Sequence, residues 1–394
     1  MSLLNSKSSI DYTFLEFFAG GGMARAGLGK EWICTFANDF SSMKGATYVE
    51  NWGSDHLLIE DINKISSGDL PGNPNLAWAS FPCQDLSLAG SYNGIGHRDS
   101  KEQTRSGTFW PFWKLMRNLM SEGRSPAFIV LENVYGVLTS HSGKDFGAIG
   151  SAFSGAGYRF GALVIDAKYF LPQSRQRVFI IGVRNDVAIP ASLLQTGPSG
   201  IWHPPALSKA YEGLSNEAKK RWLWWDIPKP PQRETNLVDL IEINPVGVSW
   251  HSHAETTRLL DLMNPVNLAK VEAAKATQQL MVGCIYRRTR PDLDGTKRQR
   301  AEVRFDNIAG CLRTPSGGSS RQIVLIVNGN QVRSRLLSPR EAARLMGLDE
   351  NYQLPPNYND AYHIAGDGVA VPVVRFLAQE LLEPVLKNNL GIVN

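Results

Sequence analysis

The stretch that decides the fold is TFLEFFAGGG, residues 13–22, in which an apolar run passes through Glu16 into three glycines. The next residues, MARAGLG, have the composition of a short helix. A strand that enters a glycine turn and then a helix lets the backbone approach a ligand and exposes helix N-terminal N–H groups. Because such a turn is also a common packing device, the motif alone leaves both interpretations open.

Further apolar runs, separated by helix-compatible polar stretches, extend this pattern to about Arg184: CTFAND, LAWASF, FIVLEN and RVFIIGV. Strands that alternate with helices predict an α/β fold, a doubly wound Rossmann-like sheet that is mostly parallel. Ligands of such sheets bind outside the carboxyl ends of the strands.

The pattern changes after Pro190, where prolines flank Trp222, Trp224 and Trp225, and helical periodicity returns from Ser338. We therefore expect a first domain at residues 1–190, completed by 340–394, and a second, smaller domain with a hinge at 191–339. Within the second, basic residues outnumber the acidic Asp292, Asp294 and Glu302, which predicts a phosphate-facing surface or, alternatively, a solvated loop. The basic residues are Arg287, Arg288, Arg290, Lys297, Arg298, Arg300 and Arg304.

Composition excludes several classes of protein. The 394 residues contain only four cysteines, far apart, which argues against a secreted disulfide scaffold and favours a cytoplasmic protein. No run approaches the roughly 18 apolar residues of a membrane span, so no membrane association is expected. The formal net charge of +4 permits a polyanionic partner without requiring one.

Acidic residues follow two of the apolar runs after the glycine turn. Asp39 ends the second run, about where a ribose hydroxyl is bound in nucleoside sites, and Asp61 follows the third, where it suits adenine. Three such strand ends in order favour a nucleoside site over a packing device.

Three further motifs carry reactive groups. Cys83 follows a strand, and Pro82 stiffens its loop, so the thiol is either an aimed nucleophile or a small buried apolar residue. Glu132 ends a predicted buried strand, where a carboxyl group needs a role or an ion-pair partner. Arg175 and Arg177, with period-two spacing, are predicted on one face to clamp a phosphate or brace a carboxylate, or else to form surface salt bridges.

The motifs EFFAGGG, FPCQ, ENV, QSRQR, RLLSPRE and GDGVAVPV occur in the order found in DNA cytosine-5 methyltransferases. The sequence resembles a single-chain bacterial or phage-type member over about residues 13–184 and 333–375. The unmatched region between them corresponds to the family's variable target-recognition domain.

The resemblance implies a methyl transfer from S-adenosylmethionine to C5 of a flipped-out cytosine in a specific duplex DNA sequence, through a covalent bond between Cys83 and C6. It makes Glu132 the acid partner and gives Arg175 and Arg177 the task of bracing the cytosine and active-site groups. It assigns to the cofactor Phe18, Ala19, Gly20, Gly22, Asp39, Phe40, Asp61, Ile62, Pro82, Asp367, Gly368 and Val369. No metal is implied.

The sequence departs from the family pattern at three places. Glu16 stands where Asp is usual, Met23 where a further Gly is common, and Asp367-Gly368 where Asn and a small residue are usual. The first two leave the turn plausible, whereas Asp367 changes the charge near the expected cofactor.

The expected partners are double-stranded DNA, bound by a monomer, and a cognate restriction endonuclease. The nearest alternative is a tRNA cytosine-5 methyltransferase, a branch that resembles this sequence but carries Cys-Phe-Thr where Cys311-Leu-Arg-Thr314 stands here. A nicotinamide-dependent oxidoreductase leaves FPCQ, ENV and QSRQR unexplained. A DNA-binding regulator without turnover does not need both Cys83 and Glu132.

Overall fold

A computed structural model describes residues 11–82, 105–291, 295–314 and 321–391. The chain divides into two units: Met1–Ile165 with Gln176–Lys229 and Val371–Asn394, and Asp166–Arg175 with Pro230–Ala370. The division falls at residues 229 and 370, whereas the sequence suggested 190 and 340. The roles given to the two domains stay predictions.

The strands are β1 (Tyr12–Phe17), β2 (Trp32–Asp39), β3 (Leu57–Ile59), β4 (Leu76–Ala79), β5 (Phe128–Val134), β6 (Tyr158–Asp166), β7 (Gln176–Arg184), β8 (Leu194–Gln195), β9 (Trp224–Trp225), β10 (Leu280–Pro291), β11 (Lys297–Arg304), β12 (Ile323–Asn328) and β13 (Gln331–Leu336). The α-helices are α1 (Met23–Leu28), α2 (Ser42–Trp52), α3 (Phe109–Ser121), α4 (Lys144–Ser154), α5 (Pro205–Glu212), α6 (Asn216–Lys220), α7 (Leu237–Leu240), α8 (His253–Asp261), α9 (Pro265–Ala276), α10 (Pro339–Leu345), α11 (Tyr358–Asp367), α12 (Val371–Leu377) and α13 (Glu383–Asn389). Across the described ranges, none of these helices is long and apolar enough to cross a membrane.

The first unit is built on a sheet of seven described strands in the order β3-β2-β1-β4-β5-β7-β6. Strands β1 to β5 pair in parallel, and β7 runs antiparallel to β5. This is the predicted α/β sheet. The strand order reverses direction between β1 and β4, the point at which open parallel sheets leave a crevice for ligands.

The C-terminal helices complete the first unit. Helix α12 packs on α1 so closely that a Cβ on Gly27 would lie 2.4 Å from the Cβ of Val374. Only a glycine fits between the two helices, since real Cβ atoms do not approach to that distance. The chain therefore returns to the first unit at its end, as the late helical pattern indicated.

The second unit contains an antiparallel sheet in the order β11-β10-β12-β13. Its core includes Ile285, Val303 and Leu325 from the sheet and Leu259 and Val271 from α8 and α9. The sequence after Pro190 did not predict this sheet, because long polar and basic stretches of β10 and β11 hide the alternation of their buried residues.

The motif RLLSPRE has a structural role in the second unit. Arg335 and Glu341 are both fully buried and form a bidentate pair, with Nη1–Oε2 and Nη2–Oε1 distances of 2.8 and 2.6 Å. Glu341 also accepts the N–H of Ser338 at 2.7 Å, which completes the capping box of α10. Each buried charge therefore has a charged partner, and removing one leaves the other uncompensated.

We expect Arg335→Met and Glu341→Gln each to lower the free energy of unfolding by about 3–5 kcal/mol, because each leaves a buried group unpaired. Denaturant unfolding measures this. The control is Lys275→Gln, which breaks a surface pair between a half-buried lysine and the exposed Glu272 and should cost under about 1 kcal/mol. A decrease below about 1 kcal/mol for both buried variants would contradict the structural role of the pair.

Candidate active site

The glycine turn after β1 has an unusual backbone. Phe18, Gly20 and Gly22 have φ angles of 57°, 56° and 78°. A positive φ is routine for glycine but costs a bulky residue such as Phe18 about 1–3 kcal/mol, and such strain is concentrated at functional sites. The turn therefore holds the Phe18 backbone in a conformation that a bulky residue rarely adopts.

Strand β2 fixes the turn through hydrogen bonds. The N–H of Ala19 donates to the Asn38 carbonyl, and the N–H of Gly20 donates to Asp39 Oδ2, each at 2.9 Å. The second carboxylate oxygen of Asp39 accepts the N–H of Ser41 at 2.9 Å. Because each carboxylate oxygen has two acceptor sites, Asp39 retains capacity for a ligand hydroxyl.

Three further predicted cofactor residues lie at the same edge of the sheet. The Phe40 side chain follows β2 and is 72% exposed, which leaves an aromatic face for a planar ligand. The backbone N–H and side-chain amide of Asn63 lower the pKa of Asp61, so this side chain is an anionic acceptor. Ile62 beside it is buried.

Glu16 lies below the turn, in the interior of the first unit. Its side chain is 1% exposed, and burial raises its pKa to about 8. Oε1 accepts the N–H of Arg25 at 3.3 Å. The Arg25 guanidinium itself donates to the Tyr48 hydroxyl at 3.1 Å and contacts His56. Glu16 is therefore protonated at neutral pH, and the departure from the usual Asp leaves the turn intact.

Protonation of Glu16 predicts a pH-dependent stability. The folded protein keeps this proton up to about pH 8, whereas the unfolded chain loses it near pH 4.5. Between these values the unfolded state binds fewer protons, so stability falls as pH rises and levels off above about pH 8. Glu16→Gln has no proton to lose, so its free energy of unfolding should not fall in this window. Relative to the wild type it should rise by about 1.4 kcal/mol for each pH unit between the two values.

Urea unfolding of both proteins between pH 5 and 9 tests this, with Glu50→Gln, on the exposed face of α2, as the control. A difference between Glu16→Gln and wild type that does not vary with pH would contradict a buried, protonated Glu16.

Glu132 and Arg177 meet at this edge of the sheet. Glu132 lies near the carboxyl end of β5, and Arg177 near the start of the antiparallel β7, where it pairs in register with Val134. Arg177 Nε lies 3.1 Å from Glu132 Oε1, and both side chains are largely buried, at 14% and 8% exposure. The guanidinium therefore holds the carboxyl group in position.

Asn133 connects β5 with the loop that leads to Cys83. Its Nδ2 donates to the Phe81 carbonyl at 3.1 Å, in a buried position. The sequence had assigned it no role, although an amide that ends a buried strand requires a partner. Pro82 ends the described part of this loop, and Cys83 lies outside the described residues.

Arg175 belongs to the second unit, as do Asp367, Gly368 and Val369. Its guanidinium donates to the carbonyls of Leu312, Gly366 and Gly368 at 3.0, 2.9 and 2.7 Å. It thus holds the GDGV segment in place, and the role of bracing the cytosine that the family resemblance implies for Arg175 stays a prediction.

Period-two spacing does not apply to Arg175, because β7 begins only at Gln176. Asp367 ends α11, with Oδ2 lying 3.5 Å from His363 Nε2, and Val369 is buried. The cofactor roles of residues 367–369 stay predictions.

Comparison with known proteins identifies the family. The family model "C-5 cytosine-specific DNA methylase" matches residues 12–383, nearly the whole chain, and the chain belongs to this family. It is 24% identical to the Type II methyltransferase M.BsuFI of Bacillus subtilis, over 96% of this chain and 74% of that protein. It is 25% identical to the DNA-cytosine methyltransferase of Escherichia coli K12, over 97% of this chain and 79% of that protein.

A solved structure shares the fold. The Dnmt2 methyltransferase of S. pombe superimposes with a TM-score of 0.58 and 17% sequence identity, covering 95% of this chain and 99% of that one. This likeness confirms the Rossmann-like architecture that the sequence predicted.

Proposed function

We propose that this protein is an S-adenosylmethionine-dependent DNA methyltransferase that methylates C5 of a flipped-out cytosine. The observation that carries the proposal is the buried Glu132–Arg177 pair at the carboxyl edge of the sheet, next to Asn133, whose side chain donates to the Phe81 carbonyl two residues before Cys83 in the sequence. A carboxyl group held by a guanidinium at this edge of the sheet fits acid catalysis on a heterocyclic base.

The residues after β1, β2 and β3 fit the proposed cofactor. Phe18, in its strained conformation, and the exposed Phe40 offer aromatic faces for adenine. Asp39 would accept hydrogen bonds from the ribose hydroxyls, and the anionic Asp61 would accept one from the adenine amino group. When bound, S-adenosylmethionine supplies an electrophilic methyl group.

Cys83 acts as the nucleophile in the proposed reaction. Its thiolate bonds to C6 of cytosine, which breaks the C5–C6 double bond and places electron density on C5. Glu132, in its protonated form, donates a proton to N3 as this charge develops, and Arg177 keeps the Glu132 carboxyl group aimed. After C5 takes the methyl group, a base removes the C5 proton, the double bond re-forms as the Cys83 thiolate leaves, and N3 returns its proton to Glu132.

The reaction requires the cytosine to be rotated out of the duplex, because C5 and C6 cannot be attacked inside it.

The second unit is proposed to recognise the target sequence, with the protein acting as a monomer on DNA. The E. coli relative is named a DNA-cytosine methyltransferase, which supports DNA as the substrate. A restriction endonuclease that cuts the same sequence is the proposed companion.

A covalent complex with 5-fluorocytosine DNA tests the mechanism. Fluorine at C5 cannot leave as a proton, so elimination is blocked, and we expect a denaturation-resistant adduct that needs S-adenosylmethionine. Cys83→Ser should abolish it and Cys311→Ser should not. An adduct with Cys83→Ser would disprove the nucleophile, and methylation of tRNA but not of duplex DNA would favour the alternative substrate.

The β10–β11 hairpin has an arrangement that favours an anionic partner. Arg288 is paired in register with Arg300 across the two strands. Residues directly opposite in an antiparallel pair share a face, so these two cationic side chains adjoin each other. Glu302 lies 3.5 Å from Arg288. Two cations side by side on one face of a hairpin could each contact a DNA phosphate.

Replacing Arg288 and Arg300 with glutamine should weaken binding to DNA of any sequence, because binding to phosphates does not depend on the bases. The slope of log affinity against log salt should fall by up to about two, roughly 0.9 for each phosphate that an arginine no longer neutralises. The exposed Lys220 and Lys229, changed together to glutamine, provide a control of equal charge. Equal slopes for the two double variants would show that the hairpin does not contact phosphates and would favour the alternative of a solvated loop.

A further inference from the structure

Trp52, the last residue of α2, is bonded to the glycine turn although no motif includes it. Its indole Nε1–H donates to the Gly21 carbonyl at 3.0 Å. The N–H of the same peptide unit, on Gly22, donates to the Ala19 carbonyl at 2.8 Å. The peptide between Gly21 and Gly22 is therefore held at both its oxygen and its nitrogen, and it cannot rotate without breaking both bonds.

The turn has one open side and one packed side. A Cβ on Gly20 would meet nothing within 4 Å, whereas a Cβ on Gly22 would lie 2.3 Å from the Nε1 of Trp52. The indole thus fills the space behind Gly22 and leaves the backbone at Gly20 accessible. This is the arrangement expected of a turn that receives a ligand on one side and a rigid support on the other.

Helix α1 holds the indole in place from the side. The guanidinium carbon of Arg25 lies 4.9 Å from the centre of the Trp52 ring, within the range of a cation–π contact. Arg25 is itself fixed, because its backbone N–H donates to Glu16 and its guanidinium donates to Tyr48. The position of the indole is consequently set by α1, α2 and β1 together.

We propose that Trp52 is a positioning residue for the cofactor: it sets the shape of the glycine turn and thereby the affinity for S-adenosylmethionine. This inference rests on the proposed function, since it requires the turn to receive that cofactor. Loss of the indole N–H frees the Gly21–Gly22 peptide to rotate, so the turn must be reordered when the cofactor binds, and affinity falls.

Trp52→Phe tests the proposal, because phenylalanine keeps an aromatic ring below Arg25 but cannot donate to Gly21. The matched control is Trp32→Phe. Trp32 also donates one indole hydrogen bond, to Glu383 Oε1 at 3.2 Å, but it begins β2 at the opposite edge of the sheet. Both variants lose one such bond in the same unit, and they differ in whether the bond reaches the turn.

We expect Trp52→Phe to raise the dissociation constant and the KM for S-adenosylmethionine about tenfold, with a smaller change in kcat and in the KM for DNA. Trp32→Phe should lower the melting temperature about as much as Trp52→Phe does, but it should leave the dissociation constant for the cofactor at the wild-type value. Calorimetry and methylation assays measure these quantities, and Trp52→Tyr, which also lacks the indole, should repeat the result.

Three results would overturn the proposal. Trp52→Phe with wild-type cofactor affinity would show that the turn does not depend on the indole. Equal losses of cofactor affinity in Trp52→Phe and Trp32→Phe, or failure of both Trp52 variants to fold while Trp32→Phe folds, would assign Trp52 to stability alone. Absence of cofactor binding by the wild-type protein would contradict the proposed function itself, and this inference with it.

Discussion

The parallel pairing of β1 to β5 is the constraint on which the candidate site depends. Because these strands run in one direction, the residues that follow them meet at a single edge of the sheet. The glycine turn follows β1, and the loop of Pro82 follows β4, the strand beside it, at the point where the strand order reverses. The antiparallel β7 contributes at the same edge through its start, which brings Arg177 to Glu132. A register shift of one residue would turn these side chains to the other face of the sheet.

Three buried glutamates show how the fold accommodates carboxyl groups. Glu341 forms a bidentate pair with the equally buried Arg335, and Glu132 is paired with Arg177. Among the described residues, Glu16 has no such ion pair with its carboxyl group: one oxygen accepts the backbone N–H of Arg25, and burial raises its pKa to about 8. The Glu341–Arg335 pair stabilises the second unit, whereas the Glu132–Arg177 pair belongs to the candidate site in the first unit. Glu16 avoids the cost of a buried charge by keeping its proton, which allows a carboxyl group directly below the glycine turn.

Sequence patterns predicted the alternating strands and helices and the residues at the strand ends, because both follow from local periodicity. They did not predict the positive φ of Phe18 or the hydrogen bond from Asn133 to Phe81, which depend on contacts distant in sequence. The boundary near residue 190 rested on a change of composition. In the structure Trp222, Trp224 and Trp225 remain in the first unit, where Trp222 packs edge-on against Phe160 at 5.2 Å between ring centres. Composition records that regular periodicity has ended, whereas packing decides to which core a residue belongs.

The motif QSRQR illustrates why spacing alone underdetermines a role. Gln173 is fully buried and bonds to the Leu345 carbonyl and the Leu312 N–H, and Arg175 holds the carbonyls near Gly368, all within the second unit. Two residues later, Arg177 lies in the first unit beside Glu132. The chain therefore passes from one unit to the other at Gln176, with an anchored side chain on each side of the crossing. The period-two spacing would put Arg175 and Arg177 on one face of a strand only if both belonged to it. Because β7 begins at Gln176, each arginine is instead bonded within a different unit.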